Sequence, residues 1–186
     1  VCLDCSAGRF SDEKGQIACT ECGVGKFRIQ KILTECEECG RGRFQNETGQ
    51  SNCISCDAGR YQDAPGERFC KQCEAGFSQA KPAQARCLMC SPGKHQTENG
   101  ASWCMQCHAG RYSAERGQTA CSGCAVGTFG KSAGQSSCKL CDSGQHQSQE
   151  GQVVCLDCSV GRFSDEKGQI ACKECFGMTS EILVEA

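Results

Sequence analysis

Along this chain of 186 residues, large apolar side chains are sparse, and one of them recurs at a regular interval. Polar stretches such as residues 11–14 separate them. No window repeats apolar residues every three to four positions over the length that a helix needs. The pattern predicts short strands and turns, with very little helix. The large apolar side chain that recurs in phase is an aromatic one, found at Phe10, Phe27, Phe44, Tyr61, Tyr112, Phe129 and Phe163.

The cysteines show the same interval without a slip. The 22 cysteines form eleven Cys-x-x-Cys pairs, and each pair begins 17 residues after the one before it. We therefore interpret residues 1–175 as a tandem array of ten complete repeats and a truncated eleventh, followed by a non-repeat tail at 176–186. Repeats 1 to 11 begin at Cys2, Cys19, Cys36, Cys53, Cys70, Cys87, Cys104, Cys121, Cys138, Cys155 and Cys172.

Glycine and the aromatic residue hold fixed places inside the repeat. A first glycine stands three residues after the second Cys, as at Gly8, and eight repeats carry a second glycine, as at Gly15. The first glycine is typical of a turn with positive φ, or of a backbone pressed against a disulfide. The second is expected to turn the chain back toward the next Cys. We expect the aromatic residue to cover the cystine as a miniature core, with His95 and His146 as packing substitutes in two repeats.

Composition limits the fold class further. Aromatic residues make up 6% of the chain, and the 38% counted as hydrophobic includes all the cysteines. Such a chain cannot build an ordinary hydrophobic core, which excludes a doubly wound enzyme, a helical bundle and a membrane span within this segment. The net charge of -2 gives no basic surface for nucleic acid. The predicted fold is a set of small disulfide-rich repeats in an elongated rod of short strands and turns, with little helix and a minimal hydrophobic core.

Two chemistries fit repeated Cys-x-x-Cys pairs: disulfides, and structural zinc sites of four thiolates. Zinc would leave one of the eleven pairs over, and zinc ribbons join two distinct knuckles where these pairs are uniformly spaced. The sequence therefore favours disulfides and an oxidising compartment, so we expect an extracellular protein, at the cell surface or secreted.

Symmetry leaves more than one disulfide pairing open. Each Cys-x-x-Cys can close on itself, or the second Cys of one repeat can bond to the first Cys of the next. A third pattern, first Cys to first and second to second, needs a period of two repeats and again leaves one pair over.

The unit C-x-x-G-x-[FY]-x8-C, as in residues 5–19, resembles the ephrin-receptor-like cysteine-rich repeat (the GCC2/GCC3 type) and the small cysteine module of tumour necrosis factor receptor ectodomains. The resemblance covers about residues 1–175, with departures at Ile32-Leu33 and at Phe77-Ser78. It implies that the second Cys of each repeat bonds to the first Cys of the next. The implied pairs are Cys5–Cys19, Cys22–Cys36, Cys39–Cys53, Cys56–Cys70, Cys73–Cys87, Cys90–Cys104, Cys107–Cys121, Cys124–Cys138, Cys141–Cys155 and Cys158–Cys172.

This pairing leaves Cys2 and Cys175 without a partner inside the chain. We expect them to bond to further residues of a longer polypeptide or between molecules, which continues the array end to end. Disulfide and chain geometry predict a rise on the order of 10–16 Å per repeat and a rod roughly 100–170 Å long. Each repeat is expected to contact mainly its neighbours.

No catalytic constellation is visible, so we expect no enzyme activity, no cofactor and no metal site. The only short motif with a modification chemistry is the glycosylation sequon at Asn46. The predicted function is an extracellular structural protein, a disulfide-stapled rod or a fibril or filament component at the cell surface. Self-association is the expected interaction, with glycans or cell-surface proteins as further partners. The alternative is the ligand-binding or adhesion ectodomain stalk of a cell-surface receptor, with repeats 2 to 5 as the most divergent candidates for a partner-specific patch.

Overall fold

A computed structural model describes residues 5–11, 18–29 and 35–175. These residues form no helix and contain twenty strands of two residues each. The chain falls into two compact bodies. The first holds Val1–Ser91, Gln96–Met105 and Gly117–Thr119, and the second holds Pro92–His95, Gln106–Arg116 and Ala120–Ala186.

The strands occupy the same two places in every repeat. Odd-numbered strands begin directly after the first glycine and are β1 (Arg9–Phe10), β3 (Lys26–Phe27), β5 (Arg43–Phe44), β7 (Arg60–Tyr61), β9 (Phe77–Ser78), β11 (Lys94–His95), β13 (Arg111–Tyr112), β15 (Thr128–Phe129), β17 (Gln145–His146) and β19 (Arg162–Phe163). Even-numbered strands are the two residues between the cysteines of a pair: β2 (Thr20–Glu21), β4 (Glu37–Glu38), β6 (Ile54–Ser55), β8 (Lys71–Gln72), β10 (Leu88–Met89), β12 (Met105–Gln106), β14 (Ser122–Gly123), β16 (Lys139–Leu140), β18 (Leu156–Asp157) and β20 (Lys173–Glu174).

Within each body, an odd-numbered strand pairs antiparallel with the strand that follows it. In β7 and β8 the register places Arg60 opposite Gln72 and Tyr61 opposite Lys71. A further backbone hydrogen bond of 2.9 Å runs from the Cys73 amide to the Gly59 carbonyl oxygen. Every described loop between two such strands is therefore closed twice, by the paired strands and by the disulfide next to them. The prediction of small disulfide-rich repeats made of short strands and turns is confirmed.

Repeats also contact the repeat two places further along. This differs from the expectation that each repeat contacts mainly its immediate neighbours. Gly59 in repeat 4 has φ +80°, and a Cβ at this position would collide with the carbonyl oxygen of Gly100 in repeat 6. The same approach joins Gly110 in repeat 7 to Gly151 in repeat 9. The first glycine therefore has the positive φ that its place predicted, but the backbone that presses on it belongs to another repeat. No Cβ fits between the two backbone segments.

Neighbouring repeats are joined by main-chain hydrogen bonds alongside this contact. The amide of Gly59 donates to the carbonyl oxygen of Gln79 at 2.7 Å, and the amide of Gly100 donates to that of Cys73 at 2.7 Å. Equivalent bonds recur along both bodies. Because these contacts use the main chain, the side chains of most positions can vary without changing how the repeats stack.

The buried interior consists of cystine sulfur and, in eight repeats, one polar side chain. The second Cys of nine successive repeats, from Cys5 to Cys141, is at most 4% exposed. The aromatic residues are only half-buried, and Phe163 is 40% exposed. The part of the expectation that made these rings a miniature core is therefore wrong, because the most buried apolar groups are the cystines.

None of the described residues forms a helix that is long and apolar enough to cross a membrane.

Candidate functional site

Ten disulfides connect the described residues, each joining the second Cys of one repeat to the first Cys of the next over 14 residues. Their Cα–Cα distances are 5.6–5.8 Å, within the range of relaxed disulfides. The pairing coincides with the one that the family resemblance implied. The bonds are Cys5–Cys19, Cys22–Cys36, Cys39–Cys53, Cys56–Cys70, Cys73–Cys87, Cys90–Cys104, Cys107–Cys121, Cys124–Cys138, Cys141–Cys155 and Cys158–Cys172.

Of the two cysteines outside these ten pairs, Cys2 and Cys175, only Cys175 lies within the described residues. Cys175 is an exposed free thiol. Cys22, which has the same place in an almost identical segment, is fully buried and bonded to Cys36. Cys2 lies outside the described residues.

A buried glutamine follows the aromatic position in five repeats. Gln62 is 1% exposed, its Nε2 donates to the carbonyl oxygen of Phe69 at 2.6 Å, and its Oε1 accepts from the amide of Ala64 at 3.1 Å. One side chain thus satisfies two main-chain groups of the loop that the disulfide closes. The residues with this arrangement are Gln45, Gln62, Gln79, Gln96 and Gln147.

Sequence reasoning missed this position, although a signal was present. Glutamine stands three residues after the first glycine in five of the ten complete repeats. Elsewhere Ser113 and Ser164 are buried there and donate to a carbonyl oxygen two residues on. A polar residue recurring in phase among cysteines predicts a hydrogen-bonding role inside the loop, because a buried amide needs partners for both its ends.

The aromatic position lies against a disulfide of later repeats, as its replacements show. His95 Nδ1 is 3.1 Å from Cys121 Sγ, and His146 Nδ1 is 3.1 Å from Cys172 Sγ. In repeat 5, which has Phe77 one place early, Ser78 takes the position with its Oγ 3.2 Å from Cys104 Sγ. The shift of the aromatic therefore leaves the strand register unchanged.

Charged side chains form exposed pairs that cross the strands or span the loops. The Lys71 ammonium lies 2.6 Å from the Asp63 carboxylate, and this hydrogen bond lowers the pKa of Asp63 and raises the pKa of Lys71. Lys173 lowers the pKa of Asp165 in the same way, in the matching place of repeat 10. Exposed pairs of this kind add little to stability.

The sequon at Asn46 lies in a loop and its asparagine is exposed. The Thr48 hydroxyl donates to the Glu21 carboxylate of the preceding repeat at 3.0 Å. The asparagine side chain is thus accessible.

One shallow groove in the first body carries apolar side chains. Its lining includes Gln96, Trp103 and Met105. The Trp103 side chain is 69% exposed and Met105 is 42% exposed. Exposed tryptophan is a common anchor in protein interfaces.

The family model described as tyrosine-protein kinase ephrin type A/B receptor-like matches four stretches: residues 25–66, 47–84, 110–151 and 144–186. Together these matches cover more than half of the chain. The chain belongs to the ephrin type A/B receptor-like family. No curated protein matches it. The ten disulfides and the membership of the ephrin receptor-like family together place the protein outside the cell or among secreted proteins.

Proposed function

We propose that this ephrin receptor-like array is a structural protein of the cell exterior, a disulfide-stapled rod that serves as a component of a fibril or filament at the cell surface. The observation that carries the proposal is the uniform stacking: the first glycine of one repeat lies on the carbonyl of the repeat two places on in both bodies, from Gly8 to Gly127. The proposal includes no enzyme activity.

The Cys175 thiol supports self-association. It is exposed and free, whereas Cys22, at the same place in the near-identical segment, is bonded to Cys36. A first-position Cys of a second molecule, such as Cys2, would give Cys175 the disulfide partner that Cys22 has.

The test is covalent assembly under oxidising conditions. The chain and a Cys175→Ser variant are compared by non-reducing electrophoresis, light scattering and negative-stain electron microscopy. We expect the unmodified chain to form linear oligomers whose length grows in steps of one molecule, while the variant gives single rods. An unmodified chain that stays monomeric at high concentration would count against the filament role.

The second candidate function is a receptor or adhesion ectodomain stalk, favoured by the family match and by the exposed Trp103 and Met105 beside each other in one groove. A Trp103→Ser variant distinguishes the two functions. It would leave end-to-end assembly unchanged but would reduce attachment of the rod to cells if this groove binds a surface protein.

A further inference from the structure

Two cystines of the second body each lie against a histidine. His95 Nδ1 contacts Cys121 Sγ at 3.1 Å, and Cys121 is bonded to Cys107. These three potential ligand atoms lie within 4.8 Å of one another. The same arrangement recurs three repeats later with His146, Cys158 and Cys172.

The disulfide itself is not a metal ligand, because metals bind the thiolate form of cysteine. Reduction by a thiol changes this. Two equivalents of a monothiol supply two electrons and two protons, the S–S bond breaks, and the monothiol leaves as its own disulfide. Binding of a cation then releases the thiol protons and leaves two thiolates and one neutral imidazole.

A set of two thiolates and one imidazole is one that Zn²⁺ accepts, with the fourth position open to water. Tetrahedral bonds of about 2.3 Å to sulfur and about 2.0–2.1 Å to nitrogen place ligand atoms roughly 3.5–3.8 Å apart. The His95–Cys121 contact is already near this distance, and breaking the S–S bond frees the sulfurs to separate. Cys107 is buried while His95 and Cys121 are half-buried, so the cation enters from the histidine side.

We propose that His95 with Cys107–Cys121, and His146 with Cys158–Cys172, are two redox-gated binding sites for a divalent cation of the zinc type. They are closed while the disulfide is formed and open when it is reduced. This zinc site differs from the one considered for the cysteine pattern alone. It uses two thiolates from one loop and one histidine, where the earlier alternative used four thiolates from two Cys-x-x-Cys pairs.

Other disulfides of the same chain provide internal controls. Repeat 7 has Tyr112 at the position that His95 takes in repeat 6, and the corresponding disulfide is Cys124–Cys138. This loop has the same length and the same pairing but no imidazole, so it tests whether the histidine is needed.

The experiment measures the reduced fraction of each disulfide. The folded, oxidised chain is equilibrated in a glutathione buffer that reduces a small share of every disulfide, with and without Zn²⁺. Free thiols are then alkylated and identified by peptide mass spectrometry. The variants are His95→Phe and His146→Phe, which restore the residue type most repeats have, with Tyr112→Phe as the matched control.

Zinc at ten times its dissociation constant should raise the ratio of reduced to oxidised protein about tenfold at the two histidine-bearing disulfides, since only the reduced form binds. His95→Phe should remove the effect at Cys107–Cys121 and leave it at Cys158–Cys172, and Tyr112→Phe should change nothing. Cobalt added in place of zinc should give a thiolate-to-cobalt absorption band that both histidine variants together abolish. The proposal is overturned if zinc shifts Cys124–Cys138 equally, shifts none of them, or acts unchanged on the His95→Phe variant.

Discussion

The Nε2 of Gln62 donates a 2.6 Å hydrogen bond to the carbonyl oxygen of Phe69, in a loop whose ends the Cys56–Cys70 disulfide holds together. The buried amide occupies the middle of a loop that has no large apolar side chain inside it. It is thus the group that fixes the loop's interior shape, and its loss leaves main-chain polar groups without a partner.

Replacing Gln62 with Ala should lower the free energy of unfolding by about 1–3 kcal/mol, the usual effect of leaving a buried polar group unpaired. Gln72→Ala is the control, since Gln72 is exposed in the same part of the chain. Guanidinium titration of the oxidised proteins measures both. Equal effects of the two substitutions would show that the hydrogen bonds of Gln62 do not matter.

Gly59→Ala should destabilise the first body by more than the roughly 1–2 kcal/mol that a left-handed backbone costs an L-residue, because its Cβ also meets the Gly100 carbonyl. Gly40→Ala should be nearly neutral, since nothing lies within 4 Å of a Cβ at Gly40 and its φ is not positive. Hydrogen exchange at the Gly100 amide, which donates to the Cys73 carbonyl oxygen, reports whether Gly100 keeps its place when Gly59 gains a Cβ. Unchanged protection of this amide in Gly59→Ala would contradict the close contact between repeats 4 and 6.

Reduction and chelation should act differently on the folded chain. An excess of a phosphine reductant should unfold both bodies, because the cystines are their interior and each loop of about 15 residues loses up to about 3 kcal/mol of entropic stabilisation. A metal chelator without reductant should change neither the circular dichroism nor the melting curve. Loss of structure on chelation alone would argue for a metal-dependent fold.

Acidification should break the Asp63–Lys71 pair at a pH set by Asp63. The hydrogen bond from Lys71 lowers the pKa of Asp63 in the folded chain, so the pair stabilises the fold at neutral pH, and this contribution is lost as the pH falls through the lowered pKa. Lys71→Gln should bring the pKa of Asp63 back toward its ordinary value, as followed by carboxyl-carbon NMR. Since both groups are exposed, the melting temperature should barely change; a large change would mean that the pair is stronger than its exposure indicates.

Asp165 supplies a check on that titration, because Lys173 lowers its pKa in the same geometry. In the Lys71→Gln variant the pKa of Asp165 should stay where it is. A joint shift of both groups would indicate a general change of the chain in place of a local one.

Local features of this protein follow from its sequence alone. The 17-residue spacing predicts a repeated loop, and the aromatic and glycine positions predict its short strands and turns, because these depend on residues no more than 14 apart. The left-handed glycine at Gly59 is predictable for the same reason, since its conformation is a property of one residue and its turn.

The tertiary structure determined which side chains are buried and which backbone groups the first glycines contact. The contact of Gly59 with Gly100 joins residues 41 apart and depends on how repeats 4, 5 and 6 stack, which no spacing in the sequence specifies. Stacking of repeats also places His95 beside Cys121, so that a residue expected to be a packing substitute becomes a candidate ligand. Because no large apolar side chain fills each loop, its interior consists of cystine sulfur and of Gln62 or its equivalents. The glutamine amides form hydrogen bonds with main-chain groups of the loop, which an apolar ring cannot do.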